Sequence, residues 1–92
     1  MSRSSDPPNR VDLHGMAPDA ALRRLGQELH AARVSGRKML LAITGRGWGN
    51  REQKPVLRNR VEAWLNGEGK QRFGVRGFRR VSKGGALEID LA

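Results

Sequence analysis

The apolar positions of this 92-residue chain fall into clusters whose spacing changes from one to the next. From Arg10 to His14 the residues alternate, with Val11 and Leu13 pointing one way and Asp12 and His14 the other. That is the period of a half-buried strand, and Gly15 ends it. Pro18 then stands at a first helical position with Asp19 in the first turn, near the positive end of the helix dipole. Leu22, Leu25, Leu29 and Ala32 follow at spacings of three, four and three, the stripe of a helix that Gly36 stops. Gly26 inside that helix costs about 1 kcal/mol relative to alanine and predicts close packing against the sheet. Met39 to Ile43 is apolar without alternation, which predicts a strand covered on both faces or central in a parallel sheet.

Leu57, Val61, Trp64 and Leu65 form the apolar face of a second helix that opens at Pro55 and stops at Asn66-Gly67, with Trp64 in the core. Residues 68–72 read as a polar loop, Val75 to Val81 as a third strand weakened at Gly77, and Ser82 to Gly85 as a turn. Ala86 to Leu91 alternates cleanly, with Leu87, Ile89 and Leu91 inward. The order is β-α-β-α-β-β. A strand–helix–strand crossover is almost always right-handed, so the first two strands should run parallel. The last two, joined by a short glycine turn, should be antiparallel.

Composition narrows the class. A chain of this length forms one small domain, over residues 10–92, preceded by a basic arm (residues 1–9) whose Ser, Pro, Arg and Asp content predicts disorder. There is no cysteine, which rules out disulfides and thiolate metal sites and suits a reducing cytoplasm. No stretch reaches the roughly 18 apolar residues of a membrane span, and residues 1–10 lack the hydrophobic segment of a signal peptide. Eighteen basic against nine acidic residues give a net charge of +9, concentrated in residues 46–92. This favours nucleic acid as partner over plain solubility.

The candidate chemistry gathers at two strand ends. Asp12 and His14, two apart on one strand, would share a face, where a carboxylate can orient an imidazole for general acid–base work. They could equally be a turn cap and a half-buried structural histidine. After Ile43 comes Thr44, then Gly45, Gly47 and Gly49 alternating with Arg46, Trp48 and Asn50, followed by Arg51 and Lys54. A strand running through glycines into a helix start can cradle phosphate, and can also be only a tight turn. Trp48 could stack on a base or fold back over the sheet. Arg58, Arg60, Arg76, Arg79, Arg80 and Lys83 would form either a phosphate-tracking flank or a solvated surface. His30 reads as structural.

At these residues the chain resembles the small MutS-related (Smr) domain. The motif carrying Asp-Leu-His-Gly stands as Val11-Asp12-Leu13-His14-Gly15, and the Thr-Gly-basic-Gly loop as Thr44-Gly45-Arg46-Gly47. The helix opening Pro55-Val56-Leu57-Arg58, Trp64-Leu65 and the late Gly84-Gly85-Ala86 fall in the family's order. The likeness runs from Val11 to Leu91. Two departures stand out: the late turn is one x-Gly unit short of the usual Gly-Gly-x-Gly-Ala, and Ala17 replaces the usual Ser or Thr helix cap.

The resemblance implies an α/β chain of the α+β two-layer sandwich type, a mixed four-stranded sheet with two helices, like the C-terminal domain of a translation initiation factor. It also implies a nicking endonuclease or endoribonuclease acting on structured DNA or RNA. In that reading Asp12, His14 and Arg46 are catalytic, and Gly15, Thr44, Gly45, Gly47, Trp48, Arg51, Lys54, Arg58 and Lys83 contact nucleic acid. No cofactor is firmly implied, though a divalent cation such as magnesium would suit a DNA substrate. Ribosomes or the repair and recombination machinery are the expected settings. The alternatives are a module that binds branched DNA or ribosome-associated RNA without cutting, and a pure protein-interaction domain.

Overall fold

A computed structural model describes residues 10–45 and 56–92. The expected basic arm, and the loop segment carrying Arg46, Gly47, Trp48, Arg51, Lys54 and the Pro55 helix opening, lie outside the described residues. Four strands and two principal helices follow in the expected order: β1 (Arg10–Asp12), α1 (Pro18–Val34), β2 (Met39–Ile43), α2 (Val56–Trp64), β3 (Val75–Val81) and β4 (Ala86–Leu91). The sheet runs β1-β2-β4-β3, with β1 parallel to β2 and the pairs β2–β4 and β3–β4 antiparallel. Both pairings expected from connection length are present, in an α+β two-layer arrangement.

α1 shows why its sequence is a helix and where it must end. Ala21, Leu25, Leu29 and Ala32 form its buried stripe. At its end the Gly36 amide donates to the Arg33 carbonyl (3.0 Å) and the Arg37 amide to the Ala32 carbonyl (2.9 Å). This paired closure needs a left-handed residue, and Gly36 supplies it with φ +77°. At the start, Ala17 sits at the cap position without a side-chain hydrogen bond. The missing Ser or Thr is thus not replaced by another capping side chain.

Four expectations are corrected. The second helical region does not stop at Asn66-Gly67. It widens into a π turn over Leu65–Gly69 and continues as a short helix, α3 (Lys70–Arg72). The wider turn absorbs an extra residue, so that Leu65 is fully buried while Phe73 reaches back against the Trp64 ring, 5.4 Å between centroids. Trp64, expected in the core, is only partly buried and packs against its edge. Gly26 faces that same aromatic layer rather than the sheet: a Cβ there would lie 3.3 Å from the Phe73 ring.

The fourth correction concerns β2. Its burial alternates, with Leu40 and Ala42 inside and Met39, Leu41 and Ile43 half-buried. Its apolar run covers one face with the core, and among the described residues no second layer packs on the other. On the inner face Val11, Leu40, Ala42, Leu87, Ile89 and Leu91 meet the stripe of α1 together with Val61 and Leu65. On the open face the register aligns two cross-strand rows. One runs Arg10, Leu41, Glu88, Arg79, and the other Asp12, Ile43, Ala86, Val81.

Candidate active site

The carboxyl ends of β1 and β2 and the β3–β4 turn meet at one edge of the sheet. The Leu13 amide still donates to the Ile43 carbonyl (2.7 Å), after which the chain leaves the ladder. His14 therefore lies just past β1, in a turn, and not within the strand. What brings it to Asp12 is a local turn: one carboxylate oxygen of Asp12 accepts both the His14 backbone amide (3.1 Å) and the imidazole Nδ1 (2.6 Å). Asx turns of this kind are a short acidic side chain's ordinary way of bonding two residues on. The pair remains accessible, with side chains 67% exposed at His14 and 51% at Asp12.

The electrostatics follow from that contact. Asp12's carboxyl is held below its ordinary value, first by the hydrogen bond from the His14 ring, then by the His14 amide and the nearby charges of His14 and Arg10; its slight burial opposes them. When the imidazole is neutral, donation from Nδ1–H to an ionised Asp12 leaves the Nε2 lone pair turned away from the carboxylate. Nε2 has no hydrogen-bond partner among the described residues. Asp12 thus caps a turn and orients the imidazole at once, and His14 is exposed rather than half-buried.

The β2 tip is fixed against the opposite turn. The Thr44 and Gly45 amides both donate to the Gly85 carbonyl, at 3.0 and 2.9 Å. Thr44 is buried, and its hydroxyl donates to the Gly45 carbonyl at 3.3 Å. Gly45 lies so close to His14 that a Cβ on it would be 3.5 Å from the His14 Cβ. The two strand tips carrying the sequence motifs therefore touch. Gly15 is exposed in the turn after His14.

The basic flank divides. Arg58 is only 15% exposed, donates to the Gly84 carbonyl (3.0 Å) and pairs with Glu62 (3.8 Å), so it bolts α2 to the β3–β4 turn. Arg60 pairs with Asp19 (3.7 Å), Arg79 with Glu88 (2.6 Å) and Arg80 with Glu62 (2.7 Å). Arg80 lies opposite Leu87 in register, on the inner face, which explains why it meets a helix residue. Arg10, Arg76 and Lys83 have no ion-pair partner among the described residues. Lys83 is exposed at the tip of the β3–β4 turn with φ 57°, following Ser82 at φ 54°. His30, read as structural, is exposed on α1.

Sequence reasoning missed Arg10 and Ser82 as rim residues. Arg10 was recoverable from its position two before Asp12 on the same face of β1. Ser82 carried no such signal.

Residues 11–91 match the model of the Smr domain. The chain belongs to the Smr domain family. Among solved structures, the Smr domain of Thermus thermophilus MutS2 superposes with a TM-score of 0.72 at 26% identity, covering 91% of this chain and 98% of that one. The Smr domain of NEDD4-binding protein 2 gives a TM-score of 0.69 at 27% identity, covering 100% and 94% respectively. YdaL, a stand-alone small MutS-related protein from Escherichia coli, shares the fold at 17% identity, with a TM-score of 0.77 and coverage of 94% and 66%. No curated protein matches the chain. Smr domains as a family bind nucleic acids and have nuclease-related roles, so the +9 charge and the exposed rim of this Smr domain belong to a nucleic-acid-binding class.

Proposed function

We propose that this Smr domain is an endonuclease that cuts single phosphodiester bonds in structured RNA or DNA, with His14 as general base. The observation that carries the reading is the 2.6 Å contact of Asp12 with Nδ1 of an exposed imidazole at a strand tip shared with Gly45. A base of this kind must be reachable and correctly oriented, and this one is both.

RNA is the better supported substrate. Nε2 of His14 would take the proton of a 2′-hydroxyl, whose oxygen then attacks the adjacent phosphorus. The bond to the 5′-oxygen breaks, a proton passes to that leaving oxygen, and a 2′,3′-cyclic phosphate remains. The route needs no metal. A DNA substrate lacks that internal nucleophile and would require an activated water, for which a divalent cation is the usual means. Asp12 is the single carboxylate at the described rim, and no group of three or more His, Asp or Glu among the described residues could hold a metal. In this reading Arg46 and the amides of Gly45 and Gly47 supply positive charge to the phosphate. Trp48, Arg51, Lys54 and Lys83 extend the contact along the strand, and Arg58 acts by holding the rim's shape.

The test incubates wild-type protein and His14→Ala with a structured RNA and with supercoiled plasmid, each with and without magnesium. Cleavage of RNA to cyclic-phosphate ends by wild type alone is the expected result. Equal cleavage by both proteins would remove His14 from the mechanism. Tight binding by both proteins without cleavage would make the domain a binding module.

A further inference from the structure

The open face of the sheet carries a cavity of about 330 Å³ beside the Asp12–His14 pair, lined by Arg10, Leu41, Ile43, Gly45, Ser82 and Ala86, with Gly85 at its edge. Its size falls within the range of small-molecule sites. We propose that it is a subsite for one unstacked nucleobase of the strand being cut. The proposal rests on the nuclease reading above, because it places that base next to the reacting phosphate.

Three observations point to a planar, partly polar ring. First, the floor is flat and apolar. Leu41 and Ile43 of β2 and Ala86 of β4 share one face of the sheet, with Ile43 directly opposite Ala86 in register. Among the described residues no helix covers this face, and bases are commonly read when they lie flat on a sheet. Second, the rim supplies matching groups. Arg10 lies opposite Leu41 in register and has no ion-pair partner among the described residues, so its guanidinium plane is available to stack. The Ser82 hydroxyl, held in a left-handed turn at φ 54°, can donate to or accept from a base edge. Holding a serine and then a lysine (φ 57°) in that region stores backbone strain, a feature that concentrates at ligand sites. Third, the cavity is continuous with the candidate active site. Gly45 is part of its wall and also lies against His14, while Asp12 follows Arg10 on the same strand face. The carboxylate nearest the floor does not repel a nucleotide at full charge, because Glu88 is paired with Arg79.

A base in this cavity would project its sugar and phosphate toward His14. Such a base cannot stay stacked in a duplex, so the preferred substrate has an unpaired nucleotide at the cleavage position. RNA and DNA share this chemistry.

The test is an NMR titration of the wild-type, isotope-labelled protein with adenosine, cytidine, guanosine and uridine 5′-monophosphates, their deoxy counterparts, and ribose 5-phosphate as the baseless control. Nucleotides should shift the methyl signals of Leu41, Ile43 and Ala86 together with the amides of His14 and Gly45. Ribose 5-phosphate should move only the latter. Arg10→Ala should weaken nucleotide binding about tenfold while leaving the response to ribose 5-phosphate unchanged. Rim shifts without methyl shifts would overturn the base subsite and leave the nuclease reading standing. Methyl shifts without any rim response would keep the base site and sink the nuclease reading. If Arg10→Ala binds nucleotides as wild type does, stacking by Arg10 is refuted. Equal response to ribo- and deoxynucleotides, against a ribose preference, separates the two sources.

Discussion

Replacing Gly84 with alanine tests whether the β3–β4 turn is held by Arg58, and with it the shape of the rim. Gly84 has φ +88°, where a side chain costs about 1–3 kcal/mol. An added Cβ would also lie 2.6 Å from Nη1 of Arg58. The end of an arginine can swing away, so the collision itself adds little. What is lost is the 3.0 Å hydrogen bond from Nη1 to the Gly84 carbonyl. A hydrogen bond from a charged donor contributes about 1.5–3 kcal/mol, and the lower end applies because Arg58 also has Glu62 as a partner. The sum is about 2.5–4.5 kcal/mol, a large share of the roughly 5–14 kcal/mol expected of a 92-residue domain. In urea unfolding, the midpoint should fall by at least about 1 M. Gly77→Ala is the control, since a Cβ there meets nothing within 4 Å and its φ is not left-handed; it should stay within about 0.5 kcal/mol of wild type. A loss below about 1 kcal/mol for Gly84→Ala would refute the reasoning. A double-mutant cycle goes further: with Arg58→Ala in place, Gly84→Ala should cost only its backbone share. Strict additivity would show that the guanidinium does not hold the turn.

Three further outcomes are expected. Asp12 and Glu62 are both held below their ordinary values of 3.8 and 4.5, chiefly by hydrogen bonds from His14 and Arg80. Their contribution to stability is complete above those values and is lost as pH falls through the lower native ones. Urea midpoints should therefore drop below about pH 4, and Glu62→Gln should flatten that fall; an unchanged slope would refute the Glu62 share. Ala17→Ser should raise stability by about 1 kcal/mol, read as a higher melting temperature, because it supplies the cap that α1 lacks. If three phosphates are contacted, affinity for nucleic acid should fall roughly 20- to 40-fold when salt rises fourfold, measured by fluorescence anisotropy. A flat salt response would favour a protein-interaction domain.

The residue pattern alone determined the strands at Met39–Ile43, Val75–Val81 and Ala86–Leu91, the helix at Pro18–Val34, and the two motifs at the strand ends. These follow from local periodicity and from glycine and proline punctuation, which act over a few residues. Tertiary structure decided what depends on distant neighbours. Among the described residues Met39–Ile43 has its inner face covered because α1 and α2 both pack on that side, a choice no window of five residues contains. The helix continued past Asn66-Gly67 because a π turn lets Leu65 and Phe73 both pack inward. Arg58 became a structural bolt and Arg10 a free cation because Gly84 and Glu62 lie beside the first, while no carboxylate among the described residues pairs with the second. Charge is written in the sequence, but whether a charge is available depends on which carboxylates the fold brings within 4 Å.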